Sequence, residues 1–182
     1  MIFGQSQIFS VEAACVEIRN KHPLGTFCLH IASKLIGALD DLVDLSNSAR
    51  SVKLFLNAAH RRARPDLDNA STAEVFDVLY GHYTVPLADL KRTDAGNLLV
   101  NRNKVQRASA IKPWDRDPYL LDDIGESSIR DKYTILVLGR SDGYDRVVIK
   151  SYIDGSLSEI LTMRGLIDTS LRDYCSWVDA LC

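Results

Sequence analysis

A chain of 182 residues with 46% hydrophobic content can bury a sizeable core in one domain, or in one domain with an extension. Twenty-four acidic against twenty-two basic residues leave a net charge of −2, which excludes a globally basic nucleic-acid binder and leaves only a local basic surface for that role. The four cysteines, Cys15, Cys28, Cys175 and Cys182, form no CxxC pair, which argues against a zinc site or a dense disulfide framework and suits a reducing cytoplasm.

The first nine residues lack the charged start and continuous apolar run of a secretory signal. Residues 24–45 carry His30, Lys34, Asp40, Asp41 and Asp44, too polar a set for a spanning helix, so any inner-membrane association is expected to be peripheral. The N-terminal third reads as helical. Ser10 caps a helix over residues 11–20, ended by Pro23-Leu24-Gly25. Phe27, Ile31, Leu35, Leu39 and Leu42 recur at helical spacing over 26–45. Ser46-Asn47-Ser48 is a break and a fresh cap, followed by a stripe of Val52, Phe55, Leu56 and Ala59. The run His60-Arg61-Arg62-Ala63-Arg64-Pro65 reads as a charged helix end stopped by proline, or as a contact for phosphate or an acidic partner. A further helix spans 69–80, with Ser71 or Thr72 near its start.

The pattern changes at His82. Residues 83–87 form a short β-type segment, in which Pro86 suits a strand start or an edge. Residues 91–123 are irregular and polar. Arg102, Lys104, Arg107, Lys112 and Arg116, with Trp114 and Tyr119 nearby, are the candidate DNA contacts, because single strands offer phosphates and stackable bases; five aspartates dilute the signal, and a solvated loop is the competing reading. Residues 134–139 are a buried-type strand, Arg140 to Tyr144 a turn with hairpin chemistry, and 146–153 the return strand. Asp154-Gly155 then opens a helix over 156–163 that stops at Gly165, and 170–180 form the last helix. A helix opening presents unpartnered N–H groups to an anion, so residues 154–159 are the candidate phosphate site. The same residues also read as a capping box, Ser156-x-x-Glu159, after an ordinary Asp-Gly turn.

In the phosphate reading the N–H groups of Gly155, Ser156 and Leu157 receive phosphate. Asp154 holds a divalent metal, and Glu159 positions or deprotonates water. Asp142 and Asp145 either add a second carboxylate or are solvated turn residues. Walker A, GxGxxG, GxSxG and HExxH motifs are absent from the sequence.

Val85-Pro86-Leu87-Ala88-Asp89-Leu90, Ser127-Ser128-Ile129-Arg130 with Ile135-Leu136-Val137-Leu138, residues 144–153, and Asp154 to Leu161 ending at Arg164-Gly165-Leu166 together resemble the ParB/sulfiredoxin superfamily over residues 83–166. The resemblance implies an α+β fold: a helical N-terminal region, 1–81, and a ParB/sulfiredoxin-like domain with a small mixed sheet, 82–182, packed as one unit. With the helical first third, the chain is also similar to plasmid oncogenic-suppression and fertility-inhibition factors. That likeness implies an ATPase and DNase that blocks conjugative transfer through a type IV secretion channel, using ATP and Mg2+. DNA, a secretion coupling protein or a transferred nucleoprotein complex would be the partner. The alternative is an inhibitor that binds the coupling protein or its cargo without catalysis. Ser158 stands where nucleotide-binding members place an arginine, so Lys150, Arg164, Arg102 or Arg107 would have to substitute. The reductase cysteine of sulfiredoxins is replaced by Ser156 or Ser158.

Overall fold

The computed structural model describes residues 1–80, 91–92, 98–99, 118–121, 124 and 127–181. Residues 2–44 form strands where helices were expected over 11–20 and 26–45, whereas the expected stripe of Val52, Phe55 and Leu56 does lie on a helix. Strands β1 (Ile2–Gln5), β2 (Phe9–Arg19), β3 (His22–Ile31), β4 (Lys34–Ile36) and β5 (Val43–Asp44) form an antiparallel sheet in which β1–β4 follow chain order and β5 also pairs with β3. Phe9, Val11 and Ala13 lie opposite Ile31, Leu29 and Phe27, and all six are buried. The i, i+4 spacing of Phe27, Ile31 and Leu35 is a multiple of the strand period as well as a near-match to the helical one, which is why it misleads. The β2–β3 and β3–β4 turns use Asn20-Lys21 and Ala32-Ser33, with positive φ at all four residues. That is the geometry of primed two-residue hairpins, made here without glycine.

Asp44 caps helix α1 (Leu45–Asn57), accepting from the N–H groups of Ser46 and Asn47 at 2.9 and 3.2 Å. The cap is therefore Asp44 and not the Ser-Asn-Ser run. The basic stretch after α1 is not a helix end: residues 59–61 and 65–67 are single 3-10 turns, and Ala63 bridges to Gly139. Helix α2 (Thr72–Leu79) starts in the expected place with a complete capping box between Ser71 and Glu74. A two-residue pairing joins β6 (Lys91–Arg92) to β7 (Leu98–Leu99). The expected strand over 83–87 lies outside the described residues, as do the candidate DNA contacts Arg102, Lys104, Arg107, Lys112 and Arg116.

After the short helix α3 (Ser127–Arg130) comes a second antiparallel sheet of β8 (Tyr133–Gly139), β9 (Tyr144–Ser151) and β10 (Leu157–Met163), in the order β10-β9-β8. Residues 157–163 are a strand, so the helix expected over 156–163 is corrected. Gly165, at φ +83°, redirects the chain into helix α4 (Leu166–Asp179). One core joins the inner faces of both sheets to α1 and α4 around the fully buried Tyr174, whose ring meets Phe27 edge-on at 4.9 Å. A second core packs α2 against the opposite face of the smaller sheet through Val75, Phe76, Leu79, Leu136, Leu138 and Val148. The architecture is α+β, with two main antiparallel sheets and the short β6–β7 pairing.

Candidate interaction surface

The residues expected to cradle phosphate sit in the β9–β10 turn and on β10, not at a helix start. Asp154 occupies the turn, where its Oδ1 accepts from the Ser156 N–H (3.0 Å) and Ser156 Oγ–H (2.8 Å). These two donors, with the Ser151 hydroxyl, hold the pKa of the exposed carboxyl far below the usual carboxylate range. The N–H expected to meet an anion at Ser156 is thus taken by the turn itself. Gly155, at φ +72°, lets the chain reverse, and its carbonyl accepts from Lys150 Nζ at 2.6 Å.

Glu159 does not close a capping box with Ser156. It lies on β10 opposite Val148, and its Oε2 accepts from Thr72 Oγ1 (2.6 Å) and from Nε (3.0 Å) and Nη2 of Arg146. Burial alone would raise its pKa, but the Thr72 hydroxyl and the Arg146 guanidinium outweigh it and keep the carboxyl below its usual value. Arg146 is 4% exposed and also donates to Leu67 O at 3.1 Å, so this carboxylate fastens α2 and the preceding turn to the small sheet. Ser158 pairs with Ile149 and Leu157 with Lys150 along the same hairpin. Asp142 accepts from Arg140 Nε in the β8–β9 turn (3.0 Å), and the half-buried Asp145 accepts from the Gly165 N–H (3.0 Å). Among the described residues, no three His, Cys, Asp or Glu side chains are grouped to hold a metal ion.

What this region presents instead is a strand edge beside an apolar surface. The outer edge of β8 is closed by the chain itself: Leu121 N–H donates to Ile135 O, Val137 N–H to Tyr119 O, and Gly139 exchanges bonds with Arg62 and Arg64, all at 2.8–3.0 Å. The outer edge of β10 has no strand against it among the described residues. Leu161 is 48% exposed, Met163 66% and Tyr144, directly opposite Met163, 45%. Single exposed apolar side chains are common, and Val16, Ile18 and Ile153 are exposed to a similar degree elsewhere. Sequence reading missed this surface because Ser156-x-x-Glu159 imitates a helix cap. The available signal was the Asp-Gly turn between two runs of similar length, 144–151 and 157–163.

Fold and surface together define a small α+β protein of two main antiparallel sheets with an exposed strand edge. The chain belongs to the immunity protein 42 family (Imm42), whose model matches residues 1–177. Among solved structures it is similar to the crystal structure of CdiI from Burkholderia dolosa AUO158, with a TM-score of 0.64 and 14% identity over 97% of this chain and 99% of that one, a likeness of fold. No curated protein matches it. Family membership overturns the ParB/sulfiredoxin resemblance. With it fall the fertility-inhibition, ATPase and DNase reading, and DNA, the secretion coupling protein and the transferred nucleoprotein complex as partners. The resemblance rested on a strand–turn–helix that is in fact a strand–turn–strand. No helix among the described residues is long and apolar enough to cross a membrane.

Proposed function

We propose that this protein is an immunity protein that binds a cognate contact-dependent inhibition toxin and neutralises it by holding it in a stoichiometric complex. The observation that carries the reading is the family match over 177 of the 182 residues. The exposed apolar side chains on β10 and β9 supply the kind of surface such binding uses. They lie on strands locked by the Arg146–Glu159–Thr72 contacts, so little ordering entropy is lost when a partner covers them.

The test is co-expression with a panel of contact-dependent inhibition toxin domains. Growth should be restored with one of them, and the purified pair should elute as a single complex. Failure to restore growth with any of these toxins, together with separate elution of the pairs, would overturn the reading.

A further inference from the structure

The end of the small sheet that carries the β9–β10 turn gathers positive charge. Tyr152 N–H donates to Lys132 O at 2.8 Å, which carries the β8–β9 ladder one pair past Tyr133 and Ser151. Residues directly opposite each other share a face, as do residues two apart on a strand. Lys132, Tyr152 and Lys150 therefore stand on one face. The 2.9 Å hydrogen bond between Tyr152 Oη and Thr134 Oγ1 fixes Tyr152 there, because Thr134 lies opposite Lys150. Lys34 reaches the same end from β4 of the larger sheet, its Nζ 5.7 Å from the centre of the Tyr133 ring.

None of these three lysines makes an ion pair among the described residues. Lys150 Nζ donates to the neutral carbonyl of Gly155, and Lys34 and Lys132 are exposed. Carboxylates are fewer. Asp131 lies 3.7 Å from Arg130, and Asp154 is held in its turn by Ser156. Lys34, Arg130, Lys132 and Lys150 against Asp131 and Asp154 leave a local charge of +2 on a chain whose total is −2. Lys132 and Lys150 are diagonal neighbours, roughly 7–8 Å apart, and like charges on neighbouring positions of a sheet work against it. The position between them, opposite Lys132, holds Tyr152 in place of a carboxylate. Tyr152 is 43% exposed and Ile153 66%, so cations flank an apolar centre.

Given the immunity reading, on which this rests, we infer that the toxin docks at this sheet end with an acidic segment. Its carboxylates meet Lys132, Lys150 and Lys34, and an apolar side chain covers Tyr152 and Ile153. Complementary charge answers cations that the fold leaves unpaired, speeds encounter and fixes register. The Tyr152 hydroxyl is already held by Thr134, so ordering the ring on binding costs little.

The test measures the affinity of the full chain for the toxin that co-expression identifies, by titration calorimetry at low and high salt. Lys132→Glu with Lys34→Glu should weaken binding about tenfold or more, and Arg50→Glu with Arg172→Glu, on the exposed faces of α1 and α4, should leave it within about twofold. Raising salt should weaken the native complex and change that of the Lys132, Lys34 variant far less. Urea midpoints establish that each variant folds. Lys132→Gln, which removes charge without reversing it, should lower affinity by a smaller step and keeps the test readable if the reversal unfolds the chain.

Unchanged or tighter binding by the charge-reversed variant, or a native affinity indifferent to salt, would overturn the acidic segment while the immunity reading stands. So would an equal loss in the Arg50, Arg172 variant, which would mean that overall charge and not this sheet end sets affinity. If no toxin binds, both readings fall together.

Discussion

Arg62 takes its charge into the interior. Its side chain is 7% exposed, Nη2 donates to both carboxylate oxygens of Asp168 at 2.6 and 2.8 Å, and the guanidinium lies 4.1 Å from the centre of the Phe55 ring. Removing one partner strands the other, so Arg62→Met should cost about 3 kcal/mol in urea unfolding, and Arg62→Met with Asp168→Leu should recover much of it. A double variant no more stable than the single one would show that the ion pair is not what holds this corner. Asp145 works in the opposite sense. Burial pushes its carboxyl above the ordinary aspartate value of 3.8, so the fold favours its protonated form. A raised folded pKa means that stability is fullest below the unfolded value and falls as pH rises through the folded one. Asp145→Asn, whose amide oxygen can still accept from Gly165 N–H, should raise the urea midpoint at pH 7, and the gain should vanish below pH 3.8. An equal gain at both pH values would mean that charge is not the cause.

The turns show why some elements can be read from sequence and others cannot. The Asp142-Gly143 turn and the Ser71 cap carry their usual residues, and both stand where the sequence places them. The hairpin at Ala32-Ser33 holds positive φ with residues that rarely adopt it, the asparagine of Asn20-Lys21 lacks the glycine that usually follows it, and the four-residue spacing of the apolar positions suited a helix equally well. Ala32→Asn with Ser33→Gly should therefore relieve left-handed backbone and stabilise the protein by roughly 1 kcal/mol, read as a higher urea midpoint. Ser71→Ala should cost about 1 kcal/mol, because the Glu74 N–H loses its acceptor. At the candidate site the Asp-Gly turn was legible. The edge of β10 was not, because exposure of an edge follows from strand order, and strand order follows from contacts distant in sequence.

At the scale of the whole molecule, β8 is the shared wall of two cores. Every residue of the strand is buried: Ile135 and Val137 face the core built on both sheets with α1 and α4, while Leu136 and Leu138 face the one under α2. A strand that alternates between two cores cannot leave one without abandoning the other, so the described parts should unfold together. Trp177 packs against the first core only, and so serves as a one-sided reporter. Leu136→Ala opens a cavity in the second core and should cost 2–5 kcal/mol by the usual behaviour of buried leucines, roughly the same range as Ile135→Ala in the first. In a Trp114→Phe background, both variants should move the Trp177 fluorescence transition in urea to the same lower midpoint that far-ultraviolet circular dichroism reports. If Leu136→Ala lowers the dichroism midpoint but leaves Trp177 unmoved, the α2 layer melts alone. The frame that presents β10 would then be separable from the larger sheet, and Glu159, which joins α2 to β10, would be the contact that fails first.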